Sequence, residues 1–320
     1  MSGPVAADVA RVQQAFANLH AAVSRSVIGQ GAPIRSVFLT LLCSGHSVLE
    51  GVPGVAKTLL VRTLANALDI RFGRIQFTPD LMPSDIIGTP ILDPREGVPR
   101  FRPGPLFTDL LLADEINRAS AKTQAALLEA MQERSATVDG ASHALGEFFS
   151  VFATQNPVEH EGTYPLPEAE LDRFLFKIIV PYPAEADEVA LLSLHHADTL
   201  MPALTAPVLL RQELAACRES VLRVIVRDEI VRYVASLVRA TRANIHFSLG
   251  ASPRAGVMLL RAAKANAAVE GRDYVIPEDV QEIWLPALRH RVQLDPAAEV
   301  EGLGVDQALG AALASVTVPR

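Results

Sequence analysis

The sequence is poor in the features that mark several large classes of protein. Only two cysteines occur, Cys43 and Cys217, far apart and in no spacing typical of a metal or redox site. No apolar run approaches the roughly 18 residues that a membrane-spanning helix needs. The first residues lack the basic segment followed by an apolar one that an export signal has. We therefore expect a cytoplasmic protein without a membrane span, whose two thiols are buried.

An excess of positive charge is missing as well. The net charge is −7 and the pI is about 5.6, so no global basic field attracts nucleic acid or anionic lipid. Hydrophobic residues make up 49% of the chain and charged residues 20%, which is typical of a globular protein with a full core. The length of 320 residues is enough for about two domains of roughly 150 residues each.

Short apolar runs alternate with helical patterns in the first part of the chain. The runs cover residues 46–51, 71–78, 109–114, 148–156 and 174–183. This alternation predicts a parallel α/β sheet whose strands are buried on both faces. After Pro183 the strand-like runs stop and helical patterns follow. We expect an α/β core with N-terminal helices over residues 1–182 and a smaller helical domain over 183–320.

Two insertions interrupt the α/β pattern. Residues 81–107 are too long and too rich in proline and glycine for one crossover helix, and residues 135–148 carry Asp139-Gly140, a turn signal for a β-hairpin. Both could be plain surface decoration. Because neither has a regular apolar face, the tips at Asp139-Gly140 and around residues 94–99 should be exposed and mobile. The proline-bearing segment 200–208 is also expected to be flexible.

Residues 51–58 read GVPGVAKT and resemble a phosphate-binding P-loop, G-x-x-x-x-G-K-[ST], with alanine in place of the last glycine. An apolar strand precedes the segment and a helical pattern follows it. In that arrangement the N–H groups of a tight loop surround phosphate oxygens at a helix N-terminus. Lys57 would reach the β- and γ-phosphates, and the Thr58 hydroxyl would bind Mg²⁺. Ala56 is acceptable if its φ is negative and costly if its φ must be positive.

A plain turn would explain the glycines and the proline but would leave Lys57 and Thr58 without a role. We therefore predict a nucleotide site. The residues expected to contact the nucleotide are Gly51, Val52, Pro53, Gly54, Val55, Ala56, Lys57, Thr58 and Leu59.

The apolar run LLLADE, residues 110–115, ends in two acids. Asp114 would hold the water shell of the metal, and Glu115 would orient or deprotonate the attacking water. Buried strands often end in a solvated pair of acids, so the run alone is a weak signal. Its place downstream of a P-loop favours the catalytic interpretation, because ligands bind beyond the carboxyl ends of parallel strands.

Five motifs occur in the order GVPGVAKT, LLLADEINRA, FATQNP, LPEAELDRF and SPRA. Together they resemble the motif set of an AAA+ ATPase, and more narrowly that of the MoxR family, over about residues 25–290. The resemblance implies a P-loop NTPase fold, a parallel sheet flanked by helices, followed by a small all-α lid. Alanine before the P-loop lysine is common in that family, so Ala56 is no departure from its pattern.

The resemblance also implies roles for single residues. Asn156 matches sensor 1, which positions water near the γ-phosphate. Arg173 matches the arginine finger offered to the ATP of the neighbouring subunit, and Arg254 matches sensor 2, which reaches from the lid to the γ-phosphate. Ile28 and Gly29 match the segment that packs near the adenine. The two insertions match hairpins that face the central pore in related hexamers.

Each of these matches has a simpler alternative when it is taken alone. Asn156 could cap the turn before Pro157, and Arg254 could be a solvated residue at the start of a helix. Arg173 could form a surface ion pair with Glu170 or Asp172. Their common order along the chain favours the functional roles over these alternatives.

The resemblance therefore implies an Mg²⁺-dependent ATPase that forms a homo-oligomeric, hexameric ring. It further implies a chaperone that remodels or matures protein complexes, with a VWA-domain partner. The alternative is a nucleic-acid-dependent motor or loader of the same superfamily, which would need a basic pore or an added DNA-binding domain. The acidic charge balance disfavours that alternative. The client, the pathway and the working size of the ring do not follow from the sequence.

Overall fold

The structure is a computed structural model that describes residues 4–92, 98–157, 163–196 and 206–319. Two regions singled out in the sequence fall largely outside these ranges, namely the predicted tip around residues 94–99 and the segment 200–208. None of the helices in the described ranges is long and apolar enough to cross a membrane.

The strands are numbered along the described chain. They are β1 (Ser47–Glu50), β2 (Phe72–Gln76), β3 (Gly88–Leu92), β4 (Pro99–Pro103), β5 (Leu110–Asp114), β6 (Ser135–Val138), β7 (Ala141–Ala144), β8 (Ser150–Gln155), β9 (Phe176–Ile179), β10 (Phe247–Leu249) and β11 (Gln293–Leu294).

The helices are numbered in the same way. They are α1 (Pro4–Ser24), α2 (Gly31–Leu42), α3 (Lys57–Ala67), α4 (Pro83–Ile87), α5 (Ala121–Glu133), α6 (Glu168–Leu171), α7 (Glu185–His196), α8 (Arg211–Arg223), α9 (Asp228–Ala243), α10 (Pro253–Val269), α11 (Pro277–Leu288), α12 (Pro296–Val300) and α13 (Val305–Ala314).

The central sheet has five parallel strands in the order β2-β5-β8-β1-β9, and each lies within one of the five apolar runs of the sequence. Every residue of β5 is buried. Successive side chains of this strand point to opposite faces, so Leu110 and Leu112 join one apolar cluster while Leu111 joins the other. The predicted parallel α/β sheet is therefore confirmed.

Helices cover both faces of this sheet. On one face α4 and α5 contribute Ile86, Leu127 and Leu128 to the smaller cluster. On the other face the larger cluster includes α1, α2 and α3 and continues into α8 to α11 and α13. Helix α1 packs on α3 of the sheet layer and also on α8 and α10. The N-terminal helices thus join the α/β part to a helical lid, whereas the boundary at residues 182 and 183 stays a prediction.

The lid is helical, as expected, but it also carries a short antiparallel strand pair, β10 and β11. The helical pattern of this half of the chain did not predict it. Both cysteines are buried, as predicted. Their burial raises the pKa of the Cys43 thiol to about 12 and that of Cys217 to about 11, so neither is poised to react as a thiolate.

Each insertion contains a β-hairpin. Strands β6 and β7 form one, with Asp139 (φ 50°) and Gly140 (φ 78°) at its turn, as the sequence predicted. Both turn residues are exposed. Strands β3 and β4 form the other hairpin. The two hairpins touch, because the Phe101 ring of β4 stacks on the His143 ring of β7 with centroids 4.1 Å apart.

Candidate functional site

The loop between β1 and α3 leaves the carboxyl end of a central strand. A side chain at Gly51 would place its Cβ 2.6 Å from the Val180 carbonyl oxygen, so the close approach of β9 requires glycine there. At Gly54 the φ is 87°, and a Cβ would meet nothing within 4 Å. This part of the loop therefore faces open space with its backbone accessible, as a phosphate cradle requires.

Ala56 has a left-handed backbone, with φ 67° and ψ 25°. The condition under which alanine is acceptable, a negative φ, is therefore not met. A left-handed residue with a Cβ costs about 1–2 kcal/mol. Ala56 lies directly before α3, and its carbonyl accepts the first hydrogen bond of that helix from Leu60 N at 2.8 Å. This hydrogen bond helps to hold Ala56 in its strained conformation.

A cavity of about 530 Å³ opens beyond this loop. We call it the P-loop cavity. The loop and the start of α3 form one side, including Gly54, Lys57 and Thr58, and the ends of β2, β5 and β8 form the other. The Lys57 ammonium group donates to the carbonyl oxygens of Gly51 at 2.5 Å and Val52 at 2.9 Å. Those contacts hold it at the loop, within reach of a phosphate bound there.

Asp114 is held in place from three neighbouring elements. Its carboxylate accepts hydrogen bonds from Thr58 Oγ1 at 3.3 and 3.2 Å and from Thr154 Oγ1 at 2.7 Å. Arg74 of β2 forms an ion pair with it at 2.8 Å. The predicted metal-binding pair, Thr58 and Asp114, is thus brought together. Arg74 and Gln76 were missed in the sequence, although their spacing of two along a strand places them on one face.

Glu115 follows β5 in a left-handed conformation, with φ 56° and ψ 49°. Its backbone N–H donates to Thr154 Oγ1 at 2.8 Å. Its Oε2 accepts from Gln76 Nε2 at 2.9 Å and pairs with Arg118 at 3.0 Å. Strain of this kind in a residue other than glycine costs about 1–3 kcal/mol and is found mostly at functional sites. The side chain lines the P-loop cavity.

Asn156 follows β8, is buried and lines the same cavity. Ile28 and Gly29 are not among its lining residues. The segment that carries them lies beside the P-loop, because the adjacent Gln30 donates to the Pro181 carbonyl at 3.0 Å. Pro181 follows Val180, the residue in close contact with Gly51.

The two predicted arginines occupy a different place. Arg173 and Arg254 line a second cavity of about 160 Å³, together with Arg134 and Arg261, and none of the described residues that line it is acidic. We call it the arginine cavity. His46, which precedes β1, also lines it. The P-loop cavity lies beyond the other end of β1, so the structure does not bring Arg173 and Arg254 to the P-loop of their own chain.

The segment that carries Arg173 is fastened by the lid. Arg291 is buried, and it donates to Asp172 Oδ1 at 2.7 Å and to the carbonyl oxygens of Leu175, at 3.0 Å, and Phe174. Burial lowers the pKa of Arg291 to about 10. Asp172 therefore pairs with Arg291 and not with Arg173, which forms no ion pair within the described residues. No local pattern around Arg291 marks this role in the sequence.

The arginine cavity has a strongly positive surround. Burial, followed by the charge of Arg134, lowers the pKa of His46 to about 3. Burial and the charge of Arg261 also lower the pKa of Arg134. His46 is therefore neutral, accepting from Val151 N at Nδ1 (2.9 Å) and donating from Nε2 to the Met131 carbonyl (3.3 Å). Because the described part of its lining carries four arginines and no acid, the cavity is suited to bind an anion.

A P-loop after β1, a buried amide after the adjacent strand β8 and two acids at the end of β5, the next strand, define a nucleotide-binding module of the P-loop class. Comparison with known proteins gives the same result. Residues 46–176 match the family model described as "ATPase family associated with various cellular activities (AAA)", and residues 239–309 match the AAA lid domain.

Relatives and a solved structure extend the likeness over nearly the whole chain. YeaC of Bacillus subtilis is 44% identical over 93% of this chain and 92% of its own length. Chaperone MoxR1 of Mycobacterium tuberculosis is 43% identical over 93% of this chain and 81% of its own length. A putative ATPase from Cytophaga hutchinsonii is 38% identical, with a TM-score of 0.90 and 98% of both chains covered. The chain belongs to the MoxR family of AAA ATPases.

Proposed function

We propose that the chain hydrolyses ATP with Mg²⁺ inside a homo-oligomeric ring, in which each active site is completed by two arginines of the adjacent copy. One observation carries this proposal. The groups suited to hold and attack a nucleotide line the P-loop cavity, whereas Arg173 and Arg254 line a cavity at the opposite end of β1. A single chain therefore carries two half-sites that a second copy can join.

The donor set beside the P-loop fits a magnesium ion. Thr58 and Asp114 offer a hydroxyl and a carboxylate that already lie 3.2 Å apart, and Mg²⁺ prefers such oxygen ligands. When bound, the ion would offset the negative charge on the phosphate oxygens. Arg74 and Thr154 keep the Asp114 carboxylate oriented toward Thr58 before any ligand enters.

The remaining residues of this cavity have separable tasks. Lys57 would exchange its contacts with the Gly51 and Val52 carbonyls for the β- and γ-phosphates. Glu115 would accept a proton from the attacking water, and its contacts with Gln76 and Arg118 fix where its carboxylate lies. Asn156 would orient that water. Ile28 and Gly29 would pack near the adenine, at the edge of the P-loop.

The arginines of the neighbouring copy would act on the opposite side of the phosphates. Arg173 and Arg254 would stabilise the charge that develops on the γ-phosphate, since a guanidinium group presents a planar set of donors to phosphate oxygens. Because no acid occurs among the described residues that line the arginine cavity, both guanidinium groups are available for this task.

The proposal is tested by the dependence of turnover on protein concentration. ATPase activity per chain should rise as rings assemble, and the rise should follow the molar mass measured by sedimentation velocity. Turnover that is independent of concentration down to the monomer would refute the shared site. Addition of single- or double-stranded DNA tests the alternative of a nucleic-acid motor, for which stimulation is expected.

We further propose that hydrolysis drives a chaperone-like remodelling of protein complexes. The relative named Chaperone MoxR1 supports a protein client. The contact between Phe101 and His143 supports a joint movement of the two hairpins, which would face the pore of the ring. We expect a partner with a VWA domain, as the family resemblance implies. A Glu115→Gln variant held in its ATP state and used to capture partners would test this, with Lys57→Ala as the control that cannot load ATP.

A further inference from the structure

Helices α9 and α10 form an apolar groove of about 350 Å³ on the surface of the lid. Val231, Val234 and Val238 of α9 line one wall, and Val257 and Leu260 of α10 line the other. Val257 is 69% exposed and Val231 is 45% exposed, so the groove is open to solvent. Adjacent exposed apolar side chains of this kind mark an interaction surface.

One end of this groove is positively charged. Arg239 and Arg242 line it there. Arg239 is exposed and forms no hydrogen bond or ion pair with the residues that the structure describes. Arg242 uses its Nε to donate to the Ala251 carbonyl at 2.7 Å and has no acidic partner in the described ranges. An occupant with apolar side chains and acidic residues at one end would therefore complement the groove.

Helix α7 of this chain offers such a surface. Glu185, Glu188, Val189 and Leu192 are all exposed, with Val189 at 58% and Leu192 at 61%. Their spacing of three and four places them on one face of the helix. The two glutamates lie toward its N-terminal end, and neither pairs with a basic side chain of the described residues.

We propose that the groove receives α7 of a second copy of this chain. Val189 and Leu192 cover the valines of the groove, while Glu185 and Glu188 pair with Arg239 and Arg242. Each chain carries both surfaces, so the contact runs from head to tail and can close into a ring. The proposal rests on the shared active site proposed above, because it names the surface by which the copies meet.

The position of both surfaces supports this pairing. Arg254 and Arg261 lie on one face of α10 and line the arginine cavity, and Val257 and Leu260 lie on the adjoining face and line the groove. Helix α7 follows β9, and the Asp187 carboxylate lies against Gly29 beside the P-loop. Docking α7 into the groove of a neighbour therefore brings Arg254 of that neighbour toward the P-loop end of the sheet.

Charge reversal tests the contact directly. Arg239→Glu and Glu188→Arg should each raise the protein concentration needed for assembly by about tenfold or more, since like charges then face each other. The chain that carries both changes should assemble nearly as the wild type does, because the opposite charges meet again. Val257→Glu should also prevent assembly. The matched controls are Arg227→Glu, at the exposed start of α9, and Val300→Glu, at a valine that is 90% exposed on α12.

Two measurements keep this proposal separate from the shared site. Sedimentation velocity with a slowly hydrolysed ATP analogue reports assembly, and a fluorescent nucleotide reports ATP binding by the monomer, which every variant should retain. One outcome would overturn this proposal and leave the shared site standing: the wild type assembles, and Arg239→Glu and Val257→Glu assemble equally well. The groove would then take another occupant, such as an acidic client segment. If the wild type stays monomeric and its turnover is independent of concentration, both proposals fail.

Discussion

The P-loop cavity and the arginine cavity lie beyond opposite ends of β1 and differ in the balance of their charges. In the P-loop cavity Lys57 and Arg74 face Asp114 and Glu115, and most of the charged groups already have partners. In the arginine cavity none of the described lining residues is acidic, and the one acid next to Arg173, Asp172, is paired with Arg291. Most charged groups of the P-loop cavity are thus paired within one chain, whereas the arginine cavity has an excess of positive charge. This difference is what a catalytic site shared between two copies requires.

The two regions also differ in what holds them together. The groups of the P-loop cavity come from the α/β part alone, that is, from the loop after β1, from α3 and from the ends of β2, β5 and β8. The arginine cavity depends on the lid, because Arg291 and Ser252 fasten Asp172 beside Arg173. A movement of the lid would therefore shift the arginines presented to a neighbour while the P-loop keeps its shape. Such coupling would let one active site affect the next around a ring.

Loss of the P-loop lysine should have the largest effect of these changes, and it should affect nucleotide binding in the P-loop cavity only. Lys57→Ala should abolish ATP binding, because it removes the charge that offsets the β- and γ-phosphates. Calorimetry with ATP measures this, and Lys122→Ala, at an exposed lysine of α5, is the matched control. Affinity equal to that of the wild type would show that the cavity is not the nucleotide site.

Loss of the finger arginine should leave ATP binding intact and slow its hydrolysis. Arg173→Ala should bind ATP normally and lose roughly 10³–10⁵ in rate, as arginine fingers do in phosphoryl transfer. Arg173→Lys should recover little, since lysine lacks the planar fork of donors. Arg227→Ala is the matched control, and single-turnover hydrolysis is the measurement.

Mixing variants sharpens the contrast between the two cavities. In mixed rings a Lys57→Ala chain still offers an intact Arg173, and an Arg173→Ala chain still offers an intact P-loop. A mixture of the two inactive variants should therefore regain part of the activity. No recovery in rings that are shown to contain both chains would place Arg173 in its own chain's site or outside catalysis.

Removing the base should be milder than removing the finger. Glu115→Gln should bind ATP and hydrolyse it roughly 10²–10⁴ times more slowly, because an amide cannot accept the proton of the attacking water. Glu129→Gln, at an exposed glutamate of α5, controls for the loss of a charge. Wild-type turnover in the Glu115 variant would assign the base to another residue.

Much of this comparison could be predicted from the sequence, and its limits have physical causes. The three inner strands β1, β5 and β8 were found because burial on both faces leaves nearly unbroken apolar runs, whereas the edge strands β2 and β9 are only partly buried and carry polar residues among their apolar ones. Strands β10 and β11 were missed because three and two residues are too few to show an alternation. The P-loop and the acids carry local signals. The location of Arg254 beside Arg173 depends on how the lid packs, which no local pattern records.

A buried histidine of the arginine cavity should make the stability of the protein depend on pH. His46 lines the arginine cavity with a pKa of about 3, well below its value of about 6.5 in an unfolded chain. As the pH falls below that unfolded value, the unfolded chain binds a proton that the folded chain excludes. Stability should then fall by about 1.4 kcal/mol per pH unit for such a histidine. His290 is also buried with a lowered pKa. The free energy of unfolding in urea should therefore change less between pH 7.5 and 5.5 in His46→Gln than in the wild type. The glutamine amide can replace both hydrogen bonds of His46. The same pH dependence in both proteins would contradict the buried, neutral state of His46.

The smallest expected effect lies in the P-loop itself. Ala56 adopts a left-handed backbone, which costs an L-residue about 1–2 kcal/mol, whereas glycine adopts it freely. Glycine also has more conformational freedom than alanine in the unfolded chain, and this offsets roughly 0.5–1 kcal/mol of the strain energy that is relieved. Ala56→Gly should therefore raise the free energy of unfolding by up to about 1.5 kcal/mol. Ala311→Gly is the matched control, because this exposed alanine lies inside α13, where glycine should destabilise by about the same amount. Chemical unfolding of both variants gives the comparison. Equal destabilisation by the two changes would mean that position 56 is not strained in solution, and that its left-handed conformation does not set the shape of the phosphate loop.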